Sequence, residues 1–383
     1  MKKKERIYLA PPHMSGRELQ YIQEAFRSNW ISSMGSNIDE MEKQLAAYTG
    51  AKHTLLTSSG TAALHLALRV LEVGQGDTIF CSSLTFVASA NAILYQHAIP
   101  VFIDSEPDSW NMSPKALERA FEDAEKKGKL PKAVVIVHLY GQSSDMEALQ
   151  EICNRYQVPI VEDAAESLGA TYKGVQSGTL GRIGIYSFNG NKIITTSGGG
   201  AIVSEDPDLI EKAKFWANQA KEPALHYQHE EMGFNYRMSN ILAGIGRAQL
   251  EVLDQRIRKK RRIFERYNAS LQSLPGFEFM KEMTYGTSTR WLSALTVDPD
   301  VSSSTALEII KALSDENIES RPVWKPLHLQ PLFKGAAYFS HQPEESVSDR
   351  LYEHGICLPS GTNLTDAQQD EVIKIIHKVV TST

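Results

Sequence analysis

The sequence predicts an α/β fold with a mostly parallel central sheet, and three observations carry that prediction. Short apolar runs alternate with helical patterns from about Lys52 to about Gly200. The runs at 133–139 and 158–161 are apolar almost without alternation, which suits strands covered on both faces. Between such runs, Leu64, Ala67, Leu68 and Leu71 fall at i, i+3, i+4 and i+7 and give a helix with one apolar stripe.

Taken in order, Thr57-Ser58-Ser59-Gly60-Thr61 leads directly into the Leu64 helix. Ser83-Leu84-Thr85-Phe86-Val87-Ala88-Ser89-Ala90 reads as a strand end followed by a helix of small residues. The 133–139 run and the run ending at Asp163 read as strands of this sheet. After Ser239, which suits an N-cap, one long helical stretch is expected through Leu250 to about Leu271, bridging two domains. A helix at 304–313, a short strand near Ile318 and a last helix complete the chain. That last helix opens at Thr365, with Gln368 in the capping-box position and Val372, Ile375, Ile376 and Val379 on one face. These elements predict a large domain over 1–250 and a small C-terminal α+β domain over 251–383.

A chain of 383 residues with ordinary apolar and charged fractions has ample material for such a core. The formal net charge of -6 argues against general nucleic-acid binding, and the basic run at 256–262 lies in a helical pattern that also carries acids, so it reads as a solvated helix face. Cys81, Cys153 and Cys357 are too few and scattered for a disulfide framework or a metal cluster, which points to a reducing compartment and no metal. The basic opening Met1-Lys2-Lys3-Lys4 is followed by a stretch that breaks before an apolar signal core, and no long apolar span occurs elsewhere. A cytoplasmic protein with no membrane partner is expected.

The chemistry centres on Ser187-Phe188-Asn189-Gly190-Asn191-Lys192, followed by Ile193-Ile194-Thr195-Thr196-Ser197-Gly198-Gly199-Gly200. Lys192 has hydroxyls, amides and glycines as neighbours and no charged residue for several positions on either side. An ammonium so placed can lose its proton when desolvated and attack a carbonyl, as in Schiff-base chemistry with a substrate or with pyridoxal phosphate (PLP). A lysine in a glycine-rich surface turn is the plain alternative.

Three further segments bear on that choice. The start of the Leu64 helix presents free N–H groups, hydroxyls and the positive end of a dipole, which is a phosphate site or an ordinary Ser/Thr cap. Asp163 ends a buried strand at the edge where ligands collect in open α/β sheets; it could hold a pyridine nitrogen protonated or cap the next helix. Phe86 could stack on a flat ring or belong to the core.

The motifs Ser59-Gly60-Thr61, Thr85-Phe86, Glu162-Asp163-Ala164-Ala165-Glu166, Ser187 to Lys192 and Gly233-Phe234-Asn235-Tyr236-Arg237-Met238-Ser239, in this order, resemble the DegT/DnrJ/EryC1/StrS family of PLP-dependent nucleotide-sugar aminotransferases. The likeness runs from Pro11-Pro12-His13-Met14 to Leu358-Pro359-Ser360-Gly361. The 190–200 stretch carries a closer likeness to enzymes that aminate UDP-linked 4-keto-6-deoxy-N-acetylhexosamines, the bacillosamine branch, including exopolysaccharide-cluster aminotransferases of bacilli.

The resemblance implies fold type I, with Lys192 as the lysine that bonds the cofactor, Asp163 facing the ring nitrogen, Phe86 on the ring face and Glu166 at the ring hydroxyl. It implies that Gly60, Thr61 and Ser187 hold the phosphate, together with Asn235 of a neighbouring subunit, so that a homodimer with shared sites is expected. Glutamate is the implied donor and a UDP-keto-sugar the implied acceptor. Asn29, Trp30, Ser33, Tyr236, Arg237, Trp324 and His328 fall where the family grips its nucleotide sugar, although Arg237, Trp324 and His328 could equally be structural. His138 reads as a satisfied residue at a strand end. Family members with histidine in place of the lysine act as dehydrases, and a non-catalytic regulator is a further alternative; the presence of Lys192, Asp163 and Ser187 favours transamination.

Overall fold

The computed structural model describes residues 5–381, so the basic opening at 1–4 lies outside the described residues. The expected parallel sheet is present. Its eight strands run in the order His53–Thr57, Gly200–Ser204, Ile183–Ser187, Ile160–Asp163, Ala133–Val137, Thr78–Ser82, Ile99–Ile103 and Tyr338–Phe339. The 200–204 strand is antiparallel to both of its neighbours and the remaining pairings are parallel.

The unbroken apolar character of the 133–137 strand follows from its position. Val135 packs with Leu64, Leu68 and Ile93 of the helices on one face. Val134 and Ile136 point the other way, into a layer with Leu117 and Phe121 of helix Pro114–Lys126 and Leu149 of helix Met146–Arg155. A strand buried on both faces has no solvent side on which to place a polar residue.

The C-terminal part forms a second sheet, Phe277–Phe279, Ser293–Val297, Gly355–Leu358 and Arg321–Pro322, with helices packed on it through Tyr267, Ile309, Val372 and Ile376. The two parts exchange segments: Ile7 makes a parallel bridge to Ile318, and the 338–339 strand extends the edge of the large sheet.

Three expectations need correction. The single helix over 239–271 is two, Asn240–Leu250 and Leu253–Leu271, because the backbone leaves helical geometry at Val252. Ile318 has only its bridge to Ile7, and the ladder strand begins at Arg321. The helix expected at 304–313 is Ala306–Asp315, capped by Thr305 and Glu308 in a reciprocal box. Ser239 and Thr365 cap as expected, the latter with Gln368.

Candidate active site

The site lies at the carboxyl ends of the parallel strands, where the chain turns from strand to helix. The 53–57 strand ends just before Ser59, whose Oγ accepts the Ala62 N–H at 3.0 Å and starts helix Gly60–Val70. Ser187 closes the 183–187 strand beside that helix start: a Cβ on Gly60 would stand 2.9 Å from the Ser187 Cβ. A Cβ on Gly200 would stand 2.5 Å from the Gly60 nitrogen. Both glycines therefore permit a close approach of backbone that leaves the positive helix end open to the cavity.

Asp163 ends the 160–163 strand and is 4 % exposed. Its Oδ2 accepts from Ser89 Oγ at 2.7 Å and its Oδ1 from the Ala165 N–H at 3.2 Å. Burial raises its pKa above the usual carboxylate range, with these two hydrogen bonds and the Lys192 charge opposing. Glu166, three residues on, accepts the Tyr140 N–H at 2.8 Å. Tyr140 sits at φ 51°, a conformation disfavoured for a residue with a Cβ. Burial pushes Glu166 up to about 7, against the nearby Lys192 charge.

Lys192 follows a tight turn in which its N–H bonds the Asn189 carbonyl at 3.0 Å. Its side chain is 11 % exposed, with Nζ 3.6 Å from Glu166 Oε1 and 4.4 Å from the centroid of the Trp291 ring. The plain alternative of a solvated surface lysine does not hold.

These groups line one cavity of about 250 Å³, shared with Gly60, Thr61, Phe86, Ser187 and Trp324. Phe86 is 58 % exposed and so is not a core residue; its ring lies 5.9 Å from that of Trp324, which also lines the cavity. The donor set suits PLP: a helix end with Ser187 for a phosphate, a buried carboxylate for a pyridinium nitrogen, and an enclosed amine for the aldehyde carbon.

Other expected contacts lie elsewhere. Arg237 is buried in an ion pair with Glu42 at 2.9 Å and also donates to the Leu56 carbonyl, so its guanidinium is committed to structure, not to this cavity. His328 stacks on Tyr338, and its ring nitrogens meet Ser83 Oγ at 2.7 Å and Asp349 Oδ1 at 3.0 Å, which ties its segment to the end of the 78–82 strand. Tyr236 stacks on Phe234 with its hydroxyl 3.3 Å from His65 Nδ1. Asn29, Trp30, Ser33 and Asn235 are exposed and do not line the cavity of their own chain. His138 is buried; its Nδ1 accepts the Ser144 N–H, and its Nε2 meets Glu162 at 2.8 Å.

Sequence reasoning missed Trp291, Tyr140 and Lys260. Each is distant in sequence from Lys192 and lies in no local pattern that marks a ligand.

Among the described residues no helix is long and apolar enough to cross a membrane. The model of the DegT/DnrJ/EryC1/StrS aminotransferase family matches residues 12–377. EpsN of Bacillus subtilis (strain 168) is 59% identical over 97% of this chain and 95% of its own length. GDP-perosamine synthase of Caulobacter vibrioides is 38% identical, covering 98% of each chain. UDP-4-amino-4,6-dideoxy-N-acetyl-beta-L-altrosamine transaminase of Campylobacter jejuni is 31% identical over 91% of this chain and 92% of its own. The crystal structure of a DegT DnrJ EryC1 StrS aminotransferase from Brucella abortus superposes with a TM-score of 0.87 at 29% identity, covering 95% of each chain.

Proposed function

The chain belongs to the DegT/DnrJ/EryC1/StrS aminotransferase family, and from that membership we propose the specific reaction of this PLP-dependent sugar aminotransferase. It moves an amino group from glutamate to C4 of a UDP-linked 4-keto-6-deoxy-N-acetylhexosamine, giving a UDP-4-amino-4,6-dideoxy sugar for surface polysaccharide or glycan synthesis. The observation that carries the chemistry is the enclosure of Lys192, Glu166 and Asp163 in one cavity at the start of the 60–70 helix. The 190–200 motif and the UDP-sugar transaminase relative support the UDP acceptor.

Lys192, Asp163, Glu166, Phe86, Gly60, Thr61 and Ser187 would hold PLP. When bound, PLP supplies an electron sink next to the reacting carbon. The Lys192 amine takes the α-proton of the donor in one half of the reaction and delivers a proton to the sugar C4 in the other. Asp163, held by Ser89 Oγ and the Ala165 N–H, would face the ring nitrogen, where a carboxylate would favour a protonated pyridinium. Glu166 accepts the Tyr140 N–H on one oxygen and turns the other towards Lys192, so it can hold a proton between the lysine and a ring hydroxyl.

We further propose a cytoplasmic homodimer in which Asn235 reaches the partner's phosphate site. Its exposure and its absence from its own cavity support that reading. The exposed Asn29, Trp30 and Ser33 are then available to the partner's substrate, and Tyr236, next to Asn235, is proposed to contribute from the same segment.

The similarity to GDP-perosamine synthase favours a second reading, a GDP-linked 4-keto-6-deoxy sugar as acceptor. Purified protein with PLP and glutamate is to be offered the UDP- and GDP-linked keto sugars in separate reactions. Amino-sugar formation is followed by mass spectrometry, with Lys192→Ala as control. Amination of the UDP sugar alone supports the proposal, and amination of the GDP sugar alone replaces it with the second reading.

A further inference from the structure

The indole of Trp291 is among the largest fully buried side chains of the described residues, and it is anchored from two sides. Its Nε1–H donates to the Asn191 carbonyl at 2.9 Å, on the residue immediately before Lys192. Its own carbonyl accepts from Lys260 Nζ at 2.8 Å, and the same nitrogen donates to the Ser360 carbonyl at 2.9 Å. Lys260 thus commits a buried amine to two backbone oxygens, tying helix Leu253–Leu271 to the segments before the 293–297 strand and after the 355–358 strand. The indole is also packed edgewise against Trp324, with ring centroids 6.4 Å apart. Its face is turned to Lys192, whose Nζ lies 4.4 Å from the ring centroid.

We infer that Trp291 is a positioning residue for Lys192: its ring face is the resting platform of the protonated amine whenever that amine is not covalently engaged. The negative face of an indole attracts an ammonium and has no comparable attraction for a neutral amine. The Asn191 carbonyl bond refers the ring to the peptide next to the lysine, so platform and amine stay in register. The amine rests between the ring and Glu166 Oε1 and leaves this place when it gives up its proton. The inference rests on Lys192 being the reactive amine of the proposed function.

Four charged or titratable groups from three segments surround Lys192. Glu166 and Asp163 face it from the end of the 160–163 strand, and their charges interact with it. Lys260 from the 253–271 helix and His13 from the N-terminal segment line a small cavity behind it, which Lys192 also lines. Substituting the Trp291 side chain leaves all four in place, together with the carbonyl that Lys260 holds.

The test uses the full chain freed of cofactor. The pH profile of Lys192 acylation by acetic anhydride is read by peptide mass spectrometry, with Lys260 and surface lysines as internal references. Trp291→Leu is expected to move the midpoint of the Lys192 profile to lower pH by about half a unit to one unit, the size of an ordinary cation–π contact. Trp291→Phe, which keeps a ring face, is expected to recover at least half of that shift. A merely structural tryptophan would behave differently: its removal opens space and raises the rate equally at every pH, so an unchanged midpoint with a raised plateau overturns the inference. If Trp291→Leu does not fold, wild-type sequence grown with 5-fluorotryptophan, whose ring face is less negative at nearly equal shape, serves instead. A downward midpoint shift supports the platform and an unmoved midpoint refutes it. Because no turnover is measured, the result is independent of which sugar nucleotide the enzyme aminates.

Discussion

Ser89 Oγ lies 2.7 Å from Asp163 Oδ2, and Thr85 Oγ1 stands 3.0 Å from the same Ser89 hydroxyl. The three residues come from two strand ends and a helix start, and the hydroxyls are buried with the carboxylate. A hydrogen bond to an ionised group in such surroundings contributes roughly 1.5–3 kcal/mol. Ser89→Ala is therefore expected to favour neutral Asp163 and to weaken PLP binding by about tenfold or more. Titration of the apoprotein with PLP, followed by tryptophan fluorescence, measures this; unchanged affinity would show that the Ala165 N–H alone holds the carboxylate.

Glu166 carries a pH signature of its own. Its folded pKa is raised from 4.5 to about 7, so its contribution to stability is complete below pH 4.5 and is lost as pH rises through 7. Glu166→Gln removes this titration. In cofactor-free protein the variant should gain on wild type by on the order of 2 kcal/mol between pH 5 and pH 8. Urea unfolding at the two pH values decides it, and parallel behaviour of the two proteins would contradict the placement of Glu166.

Lys260 gives the opposite test. Burial lowers its pKa from 10.5 to about 7, so the unfolded chain binds the extra proton between those values and wild-type stability from this group rises with pH across that window. Lys260→Met loses the two carbonyl bonds but has no proton to shed. Its disadvantage relative to wild type should be smaller at pH 6 than at pH 9 by on the order of 2 kcal/mol. Thermal melts across that range are the measurement.

Gly60→Ala probes the phosphate end of the cavity. The added Cβ meets the Ser187 Cβ at 2.9 Å, too close for either to stay in place. Overpacking of this kind costs about 1–3 kcal/mol. We expect PLP affinity to fall by at least tenfold while the far-ultraviolet circular dichroism stays that of wild type. Retained affinity would mean that Ser187 can step aside without cost to the phosphate site.

How far the site could be read from the chain depends on the kind of residue. Asp163 and Lys192 were legible because each interrupts a local pattern: an acid closing an apolar run, and a lone cation among hydroxyls and glycines. Ser59 and Gly60 were legible as a strand-to-helix turn. Phe86 was ambiguous, since nothing local separates an aromatic that lines a cavity from one that fills a core. Arg237 and His328 were left open between substrate and structure for a related reason, because a motif places the backbone while the partner of a long polar side chain is chosen by whatever folds beside it. Here those partners are Glu42 for Arg237, and Ser83 and Asp349 for His328.

Local periodicity and turn chemistry were sufficient for the mostly parallel α/β sheet, the helix caps at Ser239 and Thr365, the strand-end position of Asp163 and the polar turn that carries Lys192. These are properties of neighbouring residues, which backbone geometry and burial dictate over a few positions. The cavity wall was decided by folding alone. Trp291 reaches Lys192, and Lys260 reaches the Trp291 carbonyl, only when the 253–271 helix and the second sheet dock behind the 187–200 segment, and contacts between segments so far apart leave no periodic trace in the chain.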